Sequence, residues 1–389
     1  MDKTIIHSPY ALIGDNLDLK KDVSVEIDNG GKITNISYEN PEEKIRPLEI
    51  NQYTLMIPGL INSHVHIGDS FAKELGFNQE LSEIVAPPFG LKHKLLRQTP
   101  EEIIITGIKK AILEMLSNGI TCFIDFREGG VEGVNLLRKA LDNLSINCLI
   151  YGRFMDESEI ELIFDLADGV GLASYEQISM NNKKYFIKSK QNSKKMIACH
   201  CAEKIRNSNL LDNIFSDNIV DILIHGTKLI KKDLIKIQRE EKPLVLCPRC
   251  NGYFGIGFPP ITEILQLRIP ISLGTDNVMV NSLDLFEEMR YLYRISRALG
   301  IHDKSIQLTS KELLKMVTIN AAKIFRIENK FGSVSEGKIA DFFLIDLNGS
   351  NYYTNNLNKN NIYDIVVQRT KSENIIKTYV KGDVVFERN

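Results

Sequence analysis

The chain has 389 residues, of which 43% are hydrophobic and 25% are charged, and its formal net charge is −2. This is an ordinary globular composition, and a net charge so near zero gives no electrostatic reason to expect nucleic acid or an anionic membrane as a partner. Six cysteines, the lack of an apolar run near the roughly 20 residues that a bilayer requires, and an N-terminus without an apolar leader predict a cytoplasmic protein with reduced thiols.

Both ends of the chain predict short β-strands. At the N-terminus these are TIIHSPYALI, VSVEIDNGGKITNISYE, which has a glycine-rich turn, and LEINQYTLMI. At the C-terminus they are IADFFLIDLN, YDIVVQRT and IIKTYVKGDVVFE, and we expect the polar NNLNKNN at 355–361 to be a surface loop. Neither end has enough strands for a core of its own, so residues 1–55 and 337–389 are expected to form one small, discontinuous β-sandwich.

Residues 56–336 alternate apolar runs with amphipathic stretches such as EEIIITGIKKAILEMLSNG. The candidate strands, in order, are MIPGLINSHVH, GITCFIDFRE, INCLIYGR, DGVGLAS, KMIACHCAE, ILIHGT, PLVLCPRC and PISLGTD. Strands that are each followed by a crossover predict a (β/α)8 TIM barrel, with an open doubly wound sheet as the alternative. Both folds place functional residues at the C-terminal ends of strands, but only the barrel brings the first, fifth, sixth and eighth strands around one centre.

Those same strand ends carry residues that bind metals. The first strand ends in His64-Val65-His66, and side chains two residues apart on a strand share a face. The fifth strand supplies His200, the sixth ends in His225, and the eighth ends in Asp276. Neutral imidazoles with one carboxylate suit zinc, with iron as second choice, and three histidines with one aspartate leave a position for water.

Each of these side chains also has a structural interpretation. His200 could be a buried, hydrogen-bonded histidine, and His225 a capping or supporting group. Asp276 could cap the following helix, and Glu203, three residues after His200, could be a first-turn glutamate favoured by the helix dipole. These interpretations leave unexplained why the residues coincide at four strand ends.

The chain resembles the amidohydrolase superfamily, and within it the mononuclear deaminase branch. That branch contains cytosine, guanine and S-adenosylhomocysteine/methylthioadenosine deaminases and the atrazine chlorohydrolase type. The resemblance rests on PGLINSHVH, HCAE, IHGT and LGTDN in the right order, and EGKIADFFLID is similar to the family's return into its β-sandwich. The fourth strand lacks the lysine of binuclear members, which favours one metal. The seventh strand departs from the family, with Cys-Pro-Arg-Cys-Asn where Cys-Pro-x-Ser-Asn is common.

The resemblance implies one divalent ion, zinc or iron, held by the residues at strand ends one, five and eight, which are His64, His66, His200 and Asp276. It also implies that Asp276 accepts a proton from the water, that Glu203 shuttles a proton to a ring nitrogen, and that His225 orients the water or polarises the reacting group. The implied reaction is hydrolytic deamination of a small amino-substituted N-heterocycle (purine, pyrimidine or pterin-like) by metal-bound hydroxide. Alternatives are hydrolysis of another C–N bond, such as a cyclic amide or formimino group, or of a C–Cl bond, and a non-catalytic scaffold. Self-association is left open.

Three arginines lie at the C-terminal ends of the second, third and seventh strands, which are Arg127, Arg153 and Arg249. On one barrel rim, at least one of them could bind an anionic substituent of the substrate by a two-point contact. Alternatively, they form ion pairs with nearby acidic residues and brace the loops.

Four cysteines raise one further alternative. Cys247-x-x-Cys250 could form a structural zinc site with Cys199 and Cys201. Because the latter two flank His200 on a strand, we expect them to face away from it, into the helix layer.

Overall fold

The computed structural model describes residues 4–40, 53–85, 89–299, 308–352 and 358–388. The strands are β1 (Thr4–Ile13), β2 (Asp18–Ile27), β3 (Ile33–Glu39), β4 (Thr54–Pro58), β5 (Leu60–His66), β6 (Ile120–Arg127), β7 (Asn147–Gly152), β8 (Gly169–Leu172), β9 (Met196–Cys201), β10 (Ile222–His225), β11 (Leu244–Leu246), β12 (Ile271–Leu273), β13 (Asp276–Asn277), β14 (Phe342–Asp346), β15 (Ile375–Val380) and β16 (Asp383–Glu387). The α-helices are α1 (Leu81–Val85), α2 (Leu91–Gln98), α3 (Glu101–Ser117), α4 (Gly130–Leu141), α5 (Ile160–Leu166), α6 (Lys183–Ser193), α7 (Ser208–Asp217), α8 (Lys231–Arg239), α9 (Pro248–Tyr253), α10 (Ile261–Gln266), α11 (Leu285–Ala298), α12 (Ser310–Met316), α13 (Ile319–Ile324) and α14 (Ile362–Arg369). Across the described ranges, every helix is too short or too polar to span a membrane.

The two ends of the chain join in one seven-stranded sheet, in the order β16-β15-β14-β4-β1-β2-β3. Alternate residues of its strands enter two cores, as the period of two requires. Leu12 and Phe343 pack toward the barrel helices, whereas Val25 and Tyr379 share a separate core. Since Val25 and Tyr379 lie on strands that are not neighbours, the sheet is curled around that second core. The expected unit built from both termini is confirmed, while its boundaries at residues 55 and 337 stay a prediction.

One predicted C-terminal strand is wrong. YDIVVQRT forms helix α14, in which Ile362, Val366 and Val367 are buried. Its β-branched residues favour a strand locally, but their spacing places them on one helical face, and packing against α11 and α12 decides the outcome. Of the polar segment at 355–361, the described residues 358–361 form a turn, and the rest lies outside the described residues, as do residues 48–52 of LEINQYTLMI.

The parallel strands close into the predicted barrel. The sheet order is β12-β11-β10-β9-β8-β7-β6-β5-β13, so β12 and β13 are two parts of the eighth strand. The first part pairs with β11, and the second pairs with β5 at Asp276–Val65, which closes the circle. The helices cover the outside. In α3, for example, Ile104, Ile108 and Met115 lie on one face and are buried.

The interior of the barrel is filled by apolar side chains below the strand ends. The short fourth strand, β8, has glycine at position 171, where a larger residue would not fit. A Cβ on Gly171 would lie 2.8 Å from the Phe126 ring. Cys247 and Cys250 belong to this interior cluster, whereas Cys199 and Cys201 belong to the cluster outside the sheet. The four thiols therefore lie on opposite faces of the sheet, and the alternative of a structural zinc site among them is wrong.

Candidate metal centre and active site

The strand ends bring the predicted metal ligands together. Potential ligand atoms of His64, His66 and His200 lie within 4.8 Å of one another, and so do those of His64, His225 and Asp276. The ring centroids of His64 are 4.9 Å from those of both His66 and His200. Because His64 belongs to both groups, all five side chains surround one point at the mouth of the barrel.

The eighth strand can approach this point because residue 274 is a glycine. A Cβ on Gly274 would lie 2.6 Å from the Cβ of His64, which is too close for any other residue. The following Asp276 places its Oδ1 at 3.3 Å from Nε2 of His64 and 3.5 Å from Nε2 of His66. Asp276 and His225 both adopt left-handed backbone conformations, with φ of 60° and 69°. Such strained conformations concentrate at functional sites, where the surrounding structure holds them.

The environment of His64 fits a bound cation. Its side chain is fully buried, and apart from Oδ1 of Asp276 at 3.3 Å from Nε2, which lacks hydrogen-bond geometry, neither ring nitrogen has a partner among the described residues. Burial lowers the pKa of His64 to about 3, although Asp276 opposes the shift, and burial also lowers the pKa of His200 well below its ordinary value. These imidazoles are therefore neutral. A buried, neutral imidazole without a partner is an unsatisfied group that a metal ion would satisfy.

Backbone carbonyls orient two of the imidazoles. Nδ1 of His66 lies 3.0 Å from the carbonyl oxygen of Phe126, and Nδ1 of His200 lies 2.9 Å from that of Leu172. A carbonyl oxygen can only accept a hydrogen bond, so each Nδ1 must donate. In the neutral form of each ring, Nε2 is then the nitrogen that carries the lone pair. This is the tautomer that binds a metal through Nε2.

His225 is oriented in the same way by a residue of the divergent Cys-Pro-Arg-Cys-Asn segment. Its Nδ1 lies 3.1 Å from Oδ1 of Asn251, whose Nδ2 donates to Oγ1 of Thr227 at 2.5 Å. In this arrangement Oδ1 of Asn251 accepts, so Nδ1 of His225 donates. Sequence reasoning missed Asn251, and its place just after the seventh strand was the available signal.

Glu203 lies beside the metal group and outside both ligand sets. Its Oε1 is 3.6 Å from Nε2 of His225, and its side chain retains 21% exposure. Burial raises the pKa of Glu203, while His225 opposes the shift. A carboxyl group with a raised pKa, close to the reacting position, is suited to accept and return a proton.

These residues line a cavity of about 130 Å³. Its walls are His66, Leu81, Val85, Lys92, Glu128, Arg153, Ala173, His200, Glu203, His225, Asp276 and Asn277. A wider cleft of about 600 Å³ lies at the opposite, N-terminal ends of β9 to β12, where Asp221 and Lys242 are among its lining residues. That cleft contains none of the metal group, so the chemistry identifies the smaller cavity as the candidate site.

The model of the amidohydrolase family matches residues 55–385. The chain belongs to the amidohydrolase family. An uncharacterized protein of Methanocaldococcus jannaschii is 32% identical over 364 residues, which cover 89% of this chain and 91% of that protein. A 5-methylthioadenosine/S-adenosylhomocysteine deaminase of Thermoanaerobacter pseudethanolicus is 23% identical, covering 92% of this chain and 88% of the enzyme.

The fold agrees with solved structures of the family. An adenosine deaminase of Xanthomonas campestris, crystallised with bound zinc, superposes with a TM-score of 0.81 at 17% identity, covering 98% of this chain and 92% of that one. The resemblance to the deaminase branch is thus confirmed. Family membership makes the chain a hydrolase, and the deaminases among its relatives indicate that it cleaves carbon–nitrogen bonds.

The three rim arginines of this amidohydrolase differ in whether they line the cavity or pair with carboxylates. Arg153 is 8% exposed and lines the cavity, and its Nε has no hydrogen-bond partner among the described residues. Arg127 is outside the cavity wall, with its guanidinium 3.2 Å from Glu128 and 3.7 Å from Asp125. Its neighbours favour the interpretation of Arg127 as an ion pair over its predicted role in substrate binding.

Arg249 also favours the ion-pair interpretation. Its Nε donates to Glu288 at 2.7 Å, and its Nη2 donates to the carbonyl oxygen of Ser282 at 2.6 Å. The guanidinium also forms an ion pair with Glu287. With these partners, the guanidinium braces the loop before α11 and is absent from the cavity lining. Of the three predicted substrate-binding arginines, Arg153 is the one that lines the cavity, and its role in binding stays a prediction.

Two further charged residues of the cavity wall were missed by sequence reasoning. Lys92 lies 2.5 Å from Oε1 of Glu128 and 3.5 Å from Asp69, and all three are buried. Glu128 also lies 2.6 Å from Nδ1 of His66. A sequence signal existed for Glu128, which follows the second strand directly. Lys92 lies in a helix inserted between the first strand and α3, and no motif marks it.

Proposed function

We propose that the protein is a hydrolytic deaminase of a small amino-substituted N-heterocycle and that it uses one divalent metal ion. The observation that carries the proposal is the convergence of bare imidazole nitrogens, a carboxylate and Glu203 at one cavity. The adenosine and methylthioadenosine/S-adenosylhomocysteine deaminases among the related proteins support this reaction type.

The proposed metal ligands are His64, His66, His200 and Asp276. Zinc is the first choice, since imidazole nitrogens and a carboxylate suit it and the related adenosine deaminase was crystallised with it; iron is the second choice. When bound, the ion would supply Lewis acidity and lower the pKa of a water molecule to about 7. The absence of a lysine in β8 favours a single ion over a pair.

The chain's own residues move the protons. Asp276 accepts a proton from the attacking water through its carboxylate, and Glu203 carries a proton to the ring nitrogen beside the reacting carbon. His225, held by Asn251, directs Nε2 toward the water and the adding oxygen. A C–O bond forms and the C–N bond breaks. One proton of the water reaches the ring nitrogen through Glu203 and the other reaches the leaving amine through Asp276, so the products are a ring carbonyl beside a ring N–H, and ammonia. Acid–base assistance of this kind contributes about 10²–10⁴ in rate.

Arg153 is the proposed contact for an anionic or strongly polar substituent on the ring. Its guanidinium lines the cavity and offers planar paired donors, which match a carboxylate or phosphate. A ring that carries an acidic or strongly polar substituent would gain this contact in addition to those at the metal group.

We also propose a cytoplasmic location, supported by six cysteines that are all free thiols. Whether the chain self-associates stays open.

A deaminase screen tests the proposal. Zinc- and iron-loaded protein is incubated with aminopurines, aminopyrimidines and pterins, with and without acidic substituents, and ammonia release is measured. We expect ammonia from at least one class and one metal per chain by elemental analysis. Two metals per chain would contradict the mononuclear site. Chloride release or ring opening without ammonia would favour the other hydrolyses, and protein that binds no metal would be a scaffold.

A further inference from the structure

The cavity has a second polar region beside the metal group, formed around Lys92. The side chain of Lys92 is 2% exposed and extends from α2 into the cavity wall. Its Nζ lies 2.5 Å from Oε1 of Glu128 and 3.5 Å from Oδ2 of Asp69. Those two carboxylates are 3% and 0% exposed. A lysine is rarely buried this deeply unless it has paired charges, as Lys92 does. A buried, paired charge in the wall of a cavity marks a candidate functional residue.

Lys92 remains an ammonium group in this environment. Burial alone would lower the pKa of Lys92, but the attraction of Glu128 and Asp69 outweighs burial and raises the pKa. An ammonium carries three N–H donors. Glu128 and Asp69 face this ammonium as ion-pair partners, and because Lys92 also lines the cavity, its N–H donors are available to a ligand bound there. The nearby walls at Leu81 and Val85 are apolar and offer no side-chain acceptor.

We propose that Lys92, from its place in the cavity wall, determines substrate specificity by donating an N–H to a carbonyl oxygen on the ring. The inference rests on the proposed deaminase function and narrows its substrate class to oxo-substituted aminoheterocycles. The ring carries its amine at the metal group and a lactam oxygen at Lys92. The carbonyl oxygen is an acceptor only, so it matches the ammonium without a further proton transfer.

The size of the cavity agrees with this class. Sites for drug-sized ligands have volumes of about 300–1,000 Å³. The cavity here, at about 130 Å³, has room for a single or fused ring at the metal group. Specificity would then come from the substituents of that ring.

Paired substrates test the role of Lys92. Each pair differs in one ring oxygen: isocytosine and 2-aminopyrimidine, guanine and 2-aminopurine, pterin and 2-aminopteridine. The measured quantity is the ratio of kcat/KM within a pair, compared between wild type and Lys92→Met. A loss of folded or metal-loaded protein lowers kcat/KM for both members of a pair equally, so it does not change their ratio. The two members also differ in intrinsic reactivity, but this difference is the same for wild type and variant and drops out when the two ratios are compared.

We expect Lys92→Met to lower the ratio about 10- to 100-fold, the value of a hydrogen bond from a charged donor. The matched control is Lys94→Met, which removes an exposed lysine from the same helix and should leave the ratio unchanged. An equal loss on both members of the pair would show that Lys92 only neutralises its carboxylates, and it would overturn the inference while leaving the deaminase proposal intact. Failure of every pair, with ammonia released only from rings that lack a carbonyl oxygen, would overturn the inference alone, whereas no ammonia from any compound of the wider screen would overturn the deaminase proposal.

A binding measurement keeps the inference testable if Lys92→Met does not fold. Wild-type protein is titrated by calorimetry with the products of one pair, uracil and 2-hydroxypyrimidine. We expect uracil, which keeps the additional oxygen, to bind at least 10-fold tighter. Equal affinities would refute a hydrogen bond from Lys92 to that oxygen.

Discussion

Replacing Glu203 with glutamine separates proton transfer from metal binding. Glutamine is nearly isosteric with glutamate, and Glu203 belongs to neither group of potential ligand atoms. Metal content should therefore remain at one ion per chain. Turnover should fall, because an amide cannot accept the proton from water and return it to the ring nitrogen.

The size of the loss follows from the position of the side chain. General acid–base catalysis contributes about 10²–10⁴, which corresponds to about 3 to 5 kcal/mol of activation free energy. Glu203 retains 21% exposure, so solvent can replace part of its function, and we expect a loss in kcat of about 10³. Burial raises the pKa of Glu203, so the acidic limb of the wild-type kcat/KM profile should lie above pH 4.5, the ordinary value. That limb should disappear in the variant.

The assay combines steady-state ammonia release from pH 4 to 9 with elemental analysis of the same samples. Glu176→Gln is the matched control, because Glu176 is exposed on the rim after β8 and lies outside the cavity wall. Near-normal turnover of Glu203→Gln on the physiological substrate would refute the shuttle. Loss of the metal together with the activity would instead make Glu203 a ligand.

Further predictions concern the metal, the arginines and stability. His64→Ala should reduce bound metal from one ion per chain to a small fraction and abolish turnover, whereas His7→Ala, on the exposed terminal sheet, should change neither; elemental analysis decides. Arg153→Lys should raise KM for an anionic substrate about 10-fold or more with metal content unchanged, while Arg249→Lys should lower the melting temperature with little effect on KM; equal KM effects would contradict the assignment. Burial raises the pKa of Asp341 from 3.8 to about 7, so the carboxyl group binds its proton more tightly in the native protein than in the unfolded chain. The contribution of Asp341 to the free energy of unfolding should be complete below pH 3.8 and lost as the pH rises through about 7. Denaturant titration should show that the wild type loses up to about 4 kcal/mol between those limits relative to Asp341→Asn.

The barrel and the metal group could be predicted from the sequence because both depend on local pattern. Apolar runs separated by amphipathic stretches specify strands and helices, and the parallel barrel places all strand ends at one rim. His64, His66, His200, His225 and Asp276 each stand at such an end, so their meeting follows once the fold is known. The error at YDIVVQRT had a local cause, since its β-branched residues favour a strand and only packing against α11 and α12 selects the helix.

The tertiary structure alone decided what the other charges do. Arg249 finds Glu288, which is 39 residues away, and Arg153 finds no partner for its Nε among the described residues, although both stand at similar strand ends. Lys92 joins Glu128 and Asp69 only because α2 folds over the cavity. A charged side chain takes whichever opposite charge lies within a few ångströms, and that distance depends on packing between segments that are remote in sequence. The sequence therefore determined the fold and the metal group, and the tertiary structure decided which charges brace the barrel and which face the substrate.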